Sequence, residues 1–449
     1  MSTNDPRRTR IAELNQAIGH RTLVWFGIRG EDAAPLLALD AFGGSFSVTS
    51  QLGSATLAAT RDLTLEGSSG VRVDLDRYDL DFDPSAAAEI FRNELVSALS
   101  TDCVLVTYRP SRFTSDLAFS MEDTLTLAGM YKDRQLGFEH KPWVETRLAG
   151  RGIRTLDWGY VADARRSIAV RRLESGPLVL RANRDSGGVG ITLVKRPEEL
   201  EECWPTQSDS FVAVARYLED AIPVNLSGCV FADGSVSCHP PSVQLIGIES
   251  MTSRPFGYCG NDFGLVKDLT PSALDNLQDM LLRVGSWLHD ERYLGAFGID
   301  ALVRDDDVYF TEVNARMQGS TALSAQIAQR LDFPDLVLDH VAASLRLGMG
   351  YQPPTLREWV SMQPDVSHLV VHNSLEAQLV NVAGDPDIVG SERWTQDPTD
   401  LTVDPGGVLG RLIWPDRITC DGFSICDDAR LTVDLRRANF AEAEATICV

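Results

Sequence analysis

Residues 308–321, VYFTEVNARMQGST, begin as an apolar strand and then turn polar. Because side chains alternate along an extended chain, Val308, Phe310, Glu312 and Asn314 are predicted to share one face. That face would start apolar and end in a carboxylate and an amide, with Arg316 following two residues later. A polar end of this kind on an apolar strand raises the question of why an anion, an amide and a cation follow one another there.

The preceding stretch, GAFGIDALV at 295–303, is also typical of a strand. A three-residue loop centred on Asp306 would make the two strands a hairpin with Asp300 directly opposite Glu312. Two opposed carboxylates destabilise a hairpin, so either the register differs or a cation lies between them. With the Asn314 carbonyl they form an oxygen-rich set suited to Mg²⁺. The alternative is a solvated hairpin end, where charges are common.

Composition narrows the class of partner. The chain has 449 residues, 44% of them hydrophobic, and its formal net charge is −23. Such a surface argues against wrapping nucleic acid or docking on an anionic membrane. A small anionic ligand remains compatible where cations concentrate locally. Only four lysines occur, at positions 132, 141, 195 and 267.

The eight cysteines form no CxxC pair, which predicts reduced thiols rather than disulfides or zinc. The stretch CDGFSIC at 420–426 could form the two legs of a hairpin. The N-terminus lacks an apolar signal segment and there is no 18-residue apolar run, so we expect a cytoplasmic protein with no membrane span.

The periodicity predicts an α/β protein with three parts. Residues 1–130 form an N-terminal α/β domain, 131–350 a nucleotide-binding and catalytic region, and 351–449 a small β-rich C-terminal domain. RPEELEECW (196–204) is predicted to be a helix, and ARLTVDL (429–435) a strand. The alternating aspartates from Asp74 to Asp83 favour a solvated edge or loop over a metal site.

A Gly-rich stretch, RANRDSGGVGITLV at 181–194, lies between two predicted strands. No Gly-Lys-Ser/Thr follows, so it is not a P-loop, and no helix follows, so it is not a dinucleotide fingerprint. A flexible hairpin loop of this type can cover phosphates and offer them backbone N–H groups. A surface hairpin would have much the same sequence.

Taken in order, these elements resemble the ATP-grasp superfamily of carboxylate–amine ligases over residues 130–345. The resemblance implies phosphate contacts from a lysine at a helix start and from a basic residue before the Gly-rich loop. It also implies a hinge strand (ARYLEDAIPVNLSG, 215–228) at the nucleotide base and an Asp…Glu-x-Asn-x-Arg set at the metal. The positions that match are Lys141 and Arg181 for phosphate; Ser186, Gly187, Gly188 and Gly190 in the loop; Arg216, Tyr217, Leu218 and Glu219 at the hinge; and Asp300, Glu312, Asn314 and Arg316 in the last set.

Two positions depart from the family pattern. Arg181 stands where lysine is usual, which keeps the charge and changes the donor geometry. Pro223 stands where an acidic residue usually binds ribose, so Glu219, Asp220 or Asn225 is expected to replace it.

The resemblance implies ATP and Mg²⁺ as cofactors, an acyl-phosphate intermediate, and release of ADP and phosphate as an amide bond forms. Arg316 is expected to hold the transferring phosphoryl group, and Arg254 a substrate carboxylate. The layout is similar to that of stand-alone peptide ligases of natural-product (antibiotic) biosynthesis. This implies a small carboxylic acid, with an amidino-bearing amino acid among the candidates, and an amine or peptide acceptor. A homodimer is one assembly left open.

Three alternatives remain from the sequence. The first is a small-molecule amino-acid, dipeptide or γ-glutamyl ligase. The second is a carboxylase that forms carboxyphosphate, although no MKM-type biotinylation site is present. The third is a non-catalytic nucleotide sensor, which the missing hinge acid favours and the intact metal set opposes.

Overall fold

The computed structural model describes residues 5–49, 61–99, 101–184, 187–205, 211–382 and 401–443, together with the backbone of 393–394. Within this part of the chain, no helix is both long enough and apolar enough to cross a bilayer. The seven described cysteines form no disulfide, while Cys448 lies outside the described residues. The described residues also form no cluster of three or more His, Cys, Asp or Glu suited to a metal.

The N-terminal segment is an α/β unit built on a parallel sheet of five strands in the order β3-β2-β1-β5-β6. Both β1 and β5 are almost entirely buried, as expected for a parallel sheet covered on both faces. Its elements are α1 (Pro6–Ile18), β1 (Thr22–Arg29), β2 (Phe42–Thr49), β3 (Arg61–Thr64), α2 (Leu65–Ser69), β4 (Val71–Arg72), α3 (Ala86–Ala98), β5 (Cys103–Thr107), α4 (Arg112–Ser120) and β6 (Leu125–Ala128).

The next segment forms a small antiparallel sheet in the order β7-β10-β8-β9. Its elements are α5 (Lys132–Phe138), α6 (Lys141–Ala149), β7 (Gly159–Ala162), α7 (Ser167–Leu173), β8 (Leu178–Arg181), β9 (Ile191–Val194) and β10 (Phe211–Arg216). The helix predicted for residues 196–204 is wrong. Its described residues form only a short 3₁₀ turn, Pro197–Glu199.

A nine-stranded sheet is the centre of the molecule, in the order β16-β15-β11-β13-β14-β17-β21-β19, with β12 paired to β11. Its first part contains β11 (Ile222–Val230), β12 (Val236–Cys238), β13 (Ser242–Ile246), β14 (Tyr258–Asp262), α8 (Pro271–Asp290), β15 (Gly295–Arg304), β16 (Asp307–Asn314), α9 (Thr321–Arg330) and α10 (Leu336–Ser344). Helix α8 starts after Thr270, whose side chain accepts a hydrogen bond from the Ala273 N–H, and its apolar stripe packs on this sheet.

The C-terminal segment is rich in strands, as predicted, and three of its strands continue the central sheet, because β17 pairs with both β14 and β21, and β21 pairs with β19. Its elements are α11 (Leu356–Met362), β17 (Ser367–His372), β18 (Leu379–Asn381), β19 (Arg393–Trp394), β20 (Thr402–Val403), β21 (Val408–Trp414), α12 (Asp427–Arg437) and β22 (Phe440–Glu442). The other strands form a small sheet, β22-β18-β20-β4, with residues from the N-terminal segment. The predicted domain boundaries at 130 and 350 stay predictions.

Two local predictions in this segment are wrong. Residues 429–435 lie in helix α12 rather than a strand, because Ala429, Val433 and Arg436 form its buried face while Leu431 and Leu435 are exposed. Residues 420–426 form no hairpin. The Asp421 carboxylate accepts hydrogen bonds from the backbone of residues 423 and 424 and so stabilises a turn that leads into α12.

His340 connects the N-terminal sheet to the central sheet. Its Nδ1 accepts a hydrogen bond from the Ala296 N–H at 3.0 Å, and its Nε2 donates to the Ala128 carbonyl at 3.1 Å. A neutral imidazole makes both contacts, and complete burial lowers the pKa of His340 to about 4. Gly295 is required beside it, since a Cβ there would lie 2.5 Å from the imidazole.

Candidate active site

A cavity of about 330 Å³ lies between the small antiparallel sheet and the central sheet. All three predicted segments contribute to its walls. Tyr108 and Arg109 come from the N-terminal segment, and Val370 and Val408 from the C-terminal segment. Most of the residues predicted from the sequence to bind nucleotide or metal line this cavity.

The β15–β16 hairpin places Asp300 directly opposite Glu312, as predicted. The route differs from the prediction. The turn has two residues, with Arg304 paired to Asp307, and a β-bulge at Thr311 then shifts the register by one. The turn is one residue shorter than predicted and the bulge adds one residue to β16. The two differences offset each other, so Asp300 still pairs with Glu312.

The same bulge corrects the prediction that four side chains share one face of β16. Val308 and Phe310 belong to the hydrophobic core, whereas Glu312 and Asn314 line the cavity. Because the extra residue reverses the alternation, the strand buries apolar groups on one side before the bulge and presents polar groups to the other side after it.

Three amide side chains orient the Asp300 carboxylate. Its Oδ1 accepts from Asn225 and Gln244, both at 2.9 Å, and from Gln318 at 3.3 Å. The other oxygen, Oδ2, has only a long contact of 3.5 Å from Asn314. Burial, reinforced by the Glu312 charge, raises the pKa of Asp300 to about 6. The carboxylate is thus held at one oxygen and turned toward Asn314 with the other.

Asn225, one of the candidates for the ribose contact, lines the cavity and is hydrogen-bonded within the protein. Its amide donates to Asp300 and to Gln318 Oε1 at 2.9 Å, and its oxygen accepts from the Ser320 hydroxyl at 2.7 Å. The side chain is 3% exposed. These hydrogen bonds orient Asp300, and a ribose contact by Asn225 stays a prediction.

Lys141 is buried at the start of α6, and its ammonium lies 3.5 Å from Glu312 Oε1. Arg181, at the end of β8, is paired with Glu145 at 2.7 Å and lies 4.0 Å from the centre of the Trp158 ring. Arg181 lines the main cavity, whereas Lys141 lines a small pocket that also contains Glu312. Both predicted phosphate cations therefore lie near the end of the hairpin.

The Gly-rich loop approaches the cavity as predicted for Gly187 and Gly188, which both line it with positive φ. A Cβ on Gly188 would lie 2.0 Å from the Phe256 carbonyl oxygen, so no larger residue fits there. Gly190 begins β9 on the other side of the loop, and its carbonyl accepts from the Ala182 N–H at 2.9 Å. Ser186 lies outside the described residues.

The hinge prediction places three of its four residues at the cavity. Arg216, Tyr217 and Leu218 line it, as does Pro223, while Glu219 is exposed beyond the lining. Three hinge residues therefore line the cavity, and the acidic residues Glu219 and Asp220 are exposed.

The two predicted catalytic arginines lie in different places. Arg316 lines the cavity and donates to the Met317 carbonyl at 3.0 Å. Arg254 lies outside the lining, and its two terminal nitrogens bind the carboxylates of Asp74 and Asp76. Because Arg254 is already neutralised, the structure gives it a different contact from the predicted substrate carboxylate.

Sequence reasoning missed several cavity residues. Gln318 continues the every-second-residue pattern of 312, 314 and 316, which could have revealed it. Gln244 could not be found in this way, because β13 is brought beside Asp300 only by the order of the central sheet. Arg109 follows β5, which belongs to another segment. Desolvation by burial lowers the pKa of Arg109, and the like charge of Arg316 lowers it further.

Comparison with known sequences gives distant relatives that match about half of the chain. No family model matches the chain. The formate-dependent phosphoribosylglycinamide formyltransferase of Geobacter metallireducens is 26% identical over 202 residues, 43% of this chain and 45% of that protein. Its counterpart in Corynebacterium glutamicum is 24% identical over 221 residues, 46% and 48% of the two chains. The chain thus spans about half the length of the curated relatives it matches.

Solved structures match over nearly the whole chain. The biotin carboxylase domain of Hydrogenobacter thermophilus 2-oxoglutarate carboxylase, solved with MgADP and bicarbonate, has a TM-score of 0.62 and 13% identity, covering 94% of this chain and 90% of that one. N5-carboxyaminoimidazole ribonucleotide synthetase of Thermotoga maritima has a TM-score of 0.53 and 12% identity, covering 94% and 98%. The fold is therefore the ATP-grasp fold that the sequence predicted.

Proposed function

We propose that this protein is an ATP-dependent carboxylate–amine ligase that forms an amide, and specifically a peptide, bond through an acyl phosphate. The observation that carries the proposal is the convergence of Asp300, Glu312 and Asn314 in one cavity beside Lys141 and Arg181. Two half-buried carboxylates side by side, with basic groups and a glycine loop nearby, suit the binding of a metal and a polyphosphate.

The residues present fit Mg²⁺. Asp300 Oδ1 is occupied by three amides while Oδ2 has only the long contact to Asn314, so one carboxylate oxygen remains for a cation. Glu312 lies directly opposite and raises the cost of ionising Asp300. A divalent cation held by Asp300, Glu312 and Asn314 would relieve that repulsion and neutralise charge on the nucleotide phosphates.

ATP would lie between the two sheets. The hinge backbone at Arg216–Leu218 would contact the base, and the exposed Glu219 is the candidate for ribose. Lys141, Arg181 and the backbone of Gly187 and Gly188 would hold the phosphates. Several structural neighbours were solved with nucleotide, among them the MgADP complex from Hydrogenobacter thermophilus, which supports this assignment.

The chemistry has two steps. A carboxylate oxygen of the acid attacks the γ-phosphorus, the bond to the β-phosphate bridging oxygen breaks, and ADP leaves. The amine nitrogen then attacks the acyl carbon, the C–O bond to phosphate breaks, and the nitrogen loses a proton. Arg316 would hold the phosphoryl group and the tetrahedral oxyanion, so the protein contributes mainly positioning and electrostatic stabilisation.

The acid is proposed to be a small carboxylic acid, including amidino-bearing amino acids, and the acceptor an amine or peptide. The cavity extends beyond the nucleotide region to Ile246, Phe256 and Val370, which supports an acid with an apolar part. A role in natural-product biosynthesis, a cytoplasmic location and a homodimer stay predictions. The small-molecule ligase and the nucleotide sensor are the alternatives, and the experiment separates the sensor from the two kinds of ligase.

The test is incubation of the protein with Mg-ATP, hydroxylamine and pools of acids, bicarbonate included, followed by assays for hydroxamate and for ADP against AMP. We expect acid-dependent ADP and a hydroxamate, both absent in Glu312→Gln. AMP with pyrophosphate would mean adenylation and would refute the acyl phosphate. Tight ATP binding with no turnover for any acid would favour the sensor.

A further inference from the structure

A second pocket, of about 200 Å³, opens at the carboxyl ends of the N-terminal parallel strands. Its walls include residues 26–28 of β1, Val48 of β2 and residues 109–111 that follow β5. In the strand order β3-β2-β1-β5-β6, the chain adds β2 and β3 on one side of β1, and β5 and β6 on the other side. The direction of strand addition therefore reverses between β1 and β5, and a crevice forms at this point. Ligands of open α/β sheets bind in this crevice.

The second pocket adjoins the main cavity. Ile28, Asp76 and Arg109 line both. A molecule in the second pocket could therefore extend past Arg109 toward Arg316, where the activated acid is proposed to lie. This arrangement suits the second substrate of a ligase, which must approach the acyl carbon from a site of its own.

The charges of the pocket favour an anion. Arg109 donates to the Tyr78 carbonyl at 2.6 Å, and the Lys132 ammonium contacts the Gln135 amide oxygen at 3.3 Å. Among the described residues, no carboxylate oxygen lies within ion-pair distance of either group. Two acidic side chains of the pocket, in contrast, already have partners within the protein. Asp76 is bound by Arg254, and Asp79 accepts from the Asp81 N–H at 3.0 Å.

The remaining charged groups are Arg77 and Glu139. Arg77 is mostly exposed, and its Nε lies 3.8 Å from Asp74. Glu139 lines this second pocket and also the small pocket that contains Lys141 and Glu312. The charges of Asp79 and Glu139 act on Arg109 from beyond ion-pair distance. Among the described residues, two basic groups with no close ion pair are notable in a chain of net charge −23 with only four lysines. Glu139 is placed to meet an ammonium, while Arg109 and Lys132 are placed to meet an anion.

We propose that this second pocket binds the amine substrate by an anionic group, a carboxylate or a phosphate, with Lys132 as the specificity-determining residue. The inference rests on the proposed function, because it assigns the acceptor of that reaction. The acceptor is thus an amino acid, a peptide with a free carboxylate or a phosphorylated amine, and not a neutral or purely cationic amine.

The test is calorimetric titration of the full chain, with Mg-ADP present, using glycylglycine, glycylglycinamide and O-phosphoethanolamine. We expect at least one anionic amine to bind, the amide to bind about tenfold more weakly or not at all, and Lys132→Gln to lose about tenfold in affinity. Lys132→Arg should keep the binding. Lys195→Gln removes an exposed lysine outside both cavities and is the matched control. The better of the two anionic probes identifies the group as carboxylate or phosphate.

Three results would overturn the proposal: no binding of either anionic amine to the wild type, equal binding of the amide, or unchanged affinity in a folded Lys132→Gln variant. Circular dichroism of the variant establishes its folding. Hydroxamate formation by the wild type tests the proposed function separately, since hydroxylamine carries no anion. A positive hydroxamate assay with a negative titration would leave the ligase proposal intact and refute this one.

Discussion

Replacing Asn225 with alanine tests whether the amide network around Asp300 serves metal binding. The change removes hydrogen bonds to Asp300 and Gln318 at 2.9 Å and from Ser320 at 2.7 Å. One bond to a charged group and two neutral ones amount to about 3–5 kcal/mol of lost stability, with sizeable non-additivity. Loss of a residue that orients a metal ligand typically costs about 10–100-fold in metal affinity. We therefore expect both effects together.

The assay is calorimetric binding of ADP at increasing MgCl₂, beside urea unfolding. The matched control is Asn373→Ala, because Asn373 is equally buried and makes three hydrogen bonds, to Ala377 O, to Val403 O and from Leu375 N, away from the main cavity. Both variants should lose stability, and only Asn225→Ala should need about tenfold or more Mg²⁺. An equal Mg²⁺ requirement in the two variants would refute the reasoning and make Asn225 purely structural.

Three further predictions use other parts of the structure. Glu312→Gln should lower ADP formation about a thousandfold. Its unfolding temperature should change little, because the loss of repulsion from Asp300 offsets the loss of the ion pair with Lys141. Near wild-type turnover would rule out Glu312 as a metal ligand. Gly188→Ala should weaken ADP binding about tenfold, since its Cβ would meet the Phe256 carbonyl at 2.0 Å; unchanged calorimetric affinity would show that the loop does not close on nucleotide. The buried His340 has its pKa lowered to about 4, so below pH 6.5 the unfolded state binds a proton that the folded state does not. This group should therefore cost roughly 2 kcal/mol of stability between pH 7.5 and pH 5, and His340→Gln should remove that loss in urea unfolding; equal acid sensitivity in the two proteins would contradict the burial argument.

The pairing of Asp300 with Glu312 was predictable because both residues lie within one hairpin. Asp300 and Glu312 are twelve residues apart, and local pairing decides their register. The short turn and the bulge at Thr311 were not predicted, since a single extra residue in a strand leaves no distinct periodicity. The turn is one residue shorter than predicted and the bulge adds one residue, so the pairing of Asp300 with Glu312 is unaffected. Between the turn and the bulge, however, Val308 and Phe310 face the core instead of sharing a face with Glu312.

Tertiary context explains the other misses. In α12, Leu431, Val433 and Leu435 alternate like a strand, yet two of them are exposed and the helix is fixed by packing of Ala429 and Val433. The partners of Asp300 on β11 and β13 are brought together by the order of the central sheet. The ion pairs of Arg254 with Asp74 and Asp76 were not predicted, because these partners are 180 and 178 residues away in the chain. Sequence proximity could not reveal any of these contacts.

The most direct test of the proposed reaction follows one oxygen atom. The acid found in the hydroxamate screen is labelled with ¹⁸O in its carboxylate and incubated with Mg-ATP and an amine, and the phosphate released is analysed by mass spectrometry. An acyl phosphate requires one ¹⁸O atom to move from the acid to inorganic phosphate as the amide forms, because the C–O bond breaks in the second step. Unlabelled pyrophosphate with ¹⁸O in AMP would show attack at the α-phosphorus, and the acyl phosphate and the role given to Arg316 in holding the transferring phosphoryl group would then be wrong.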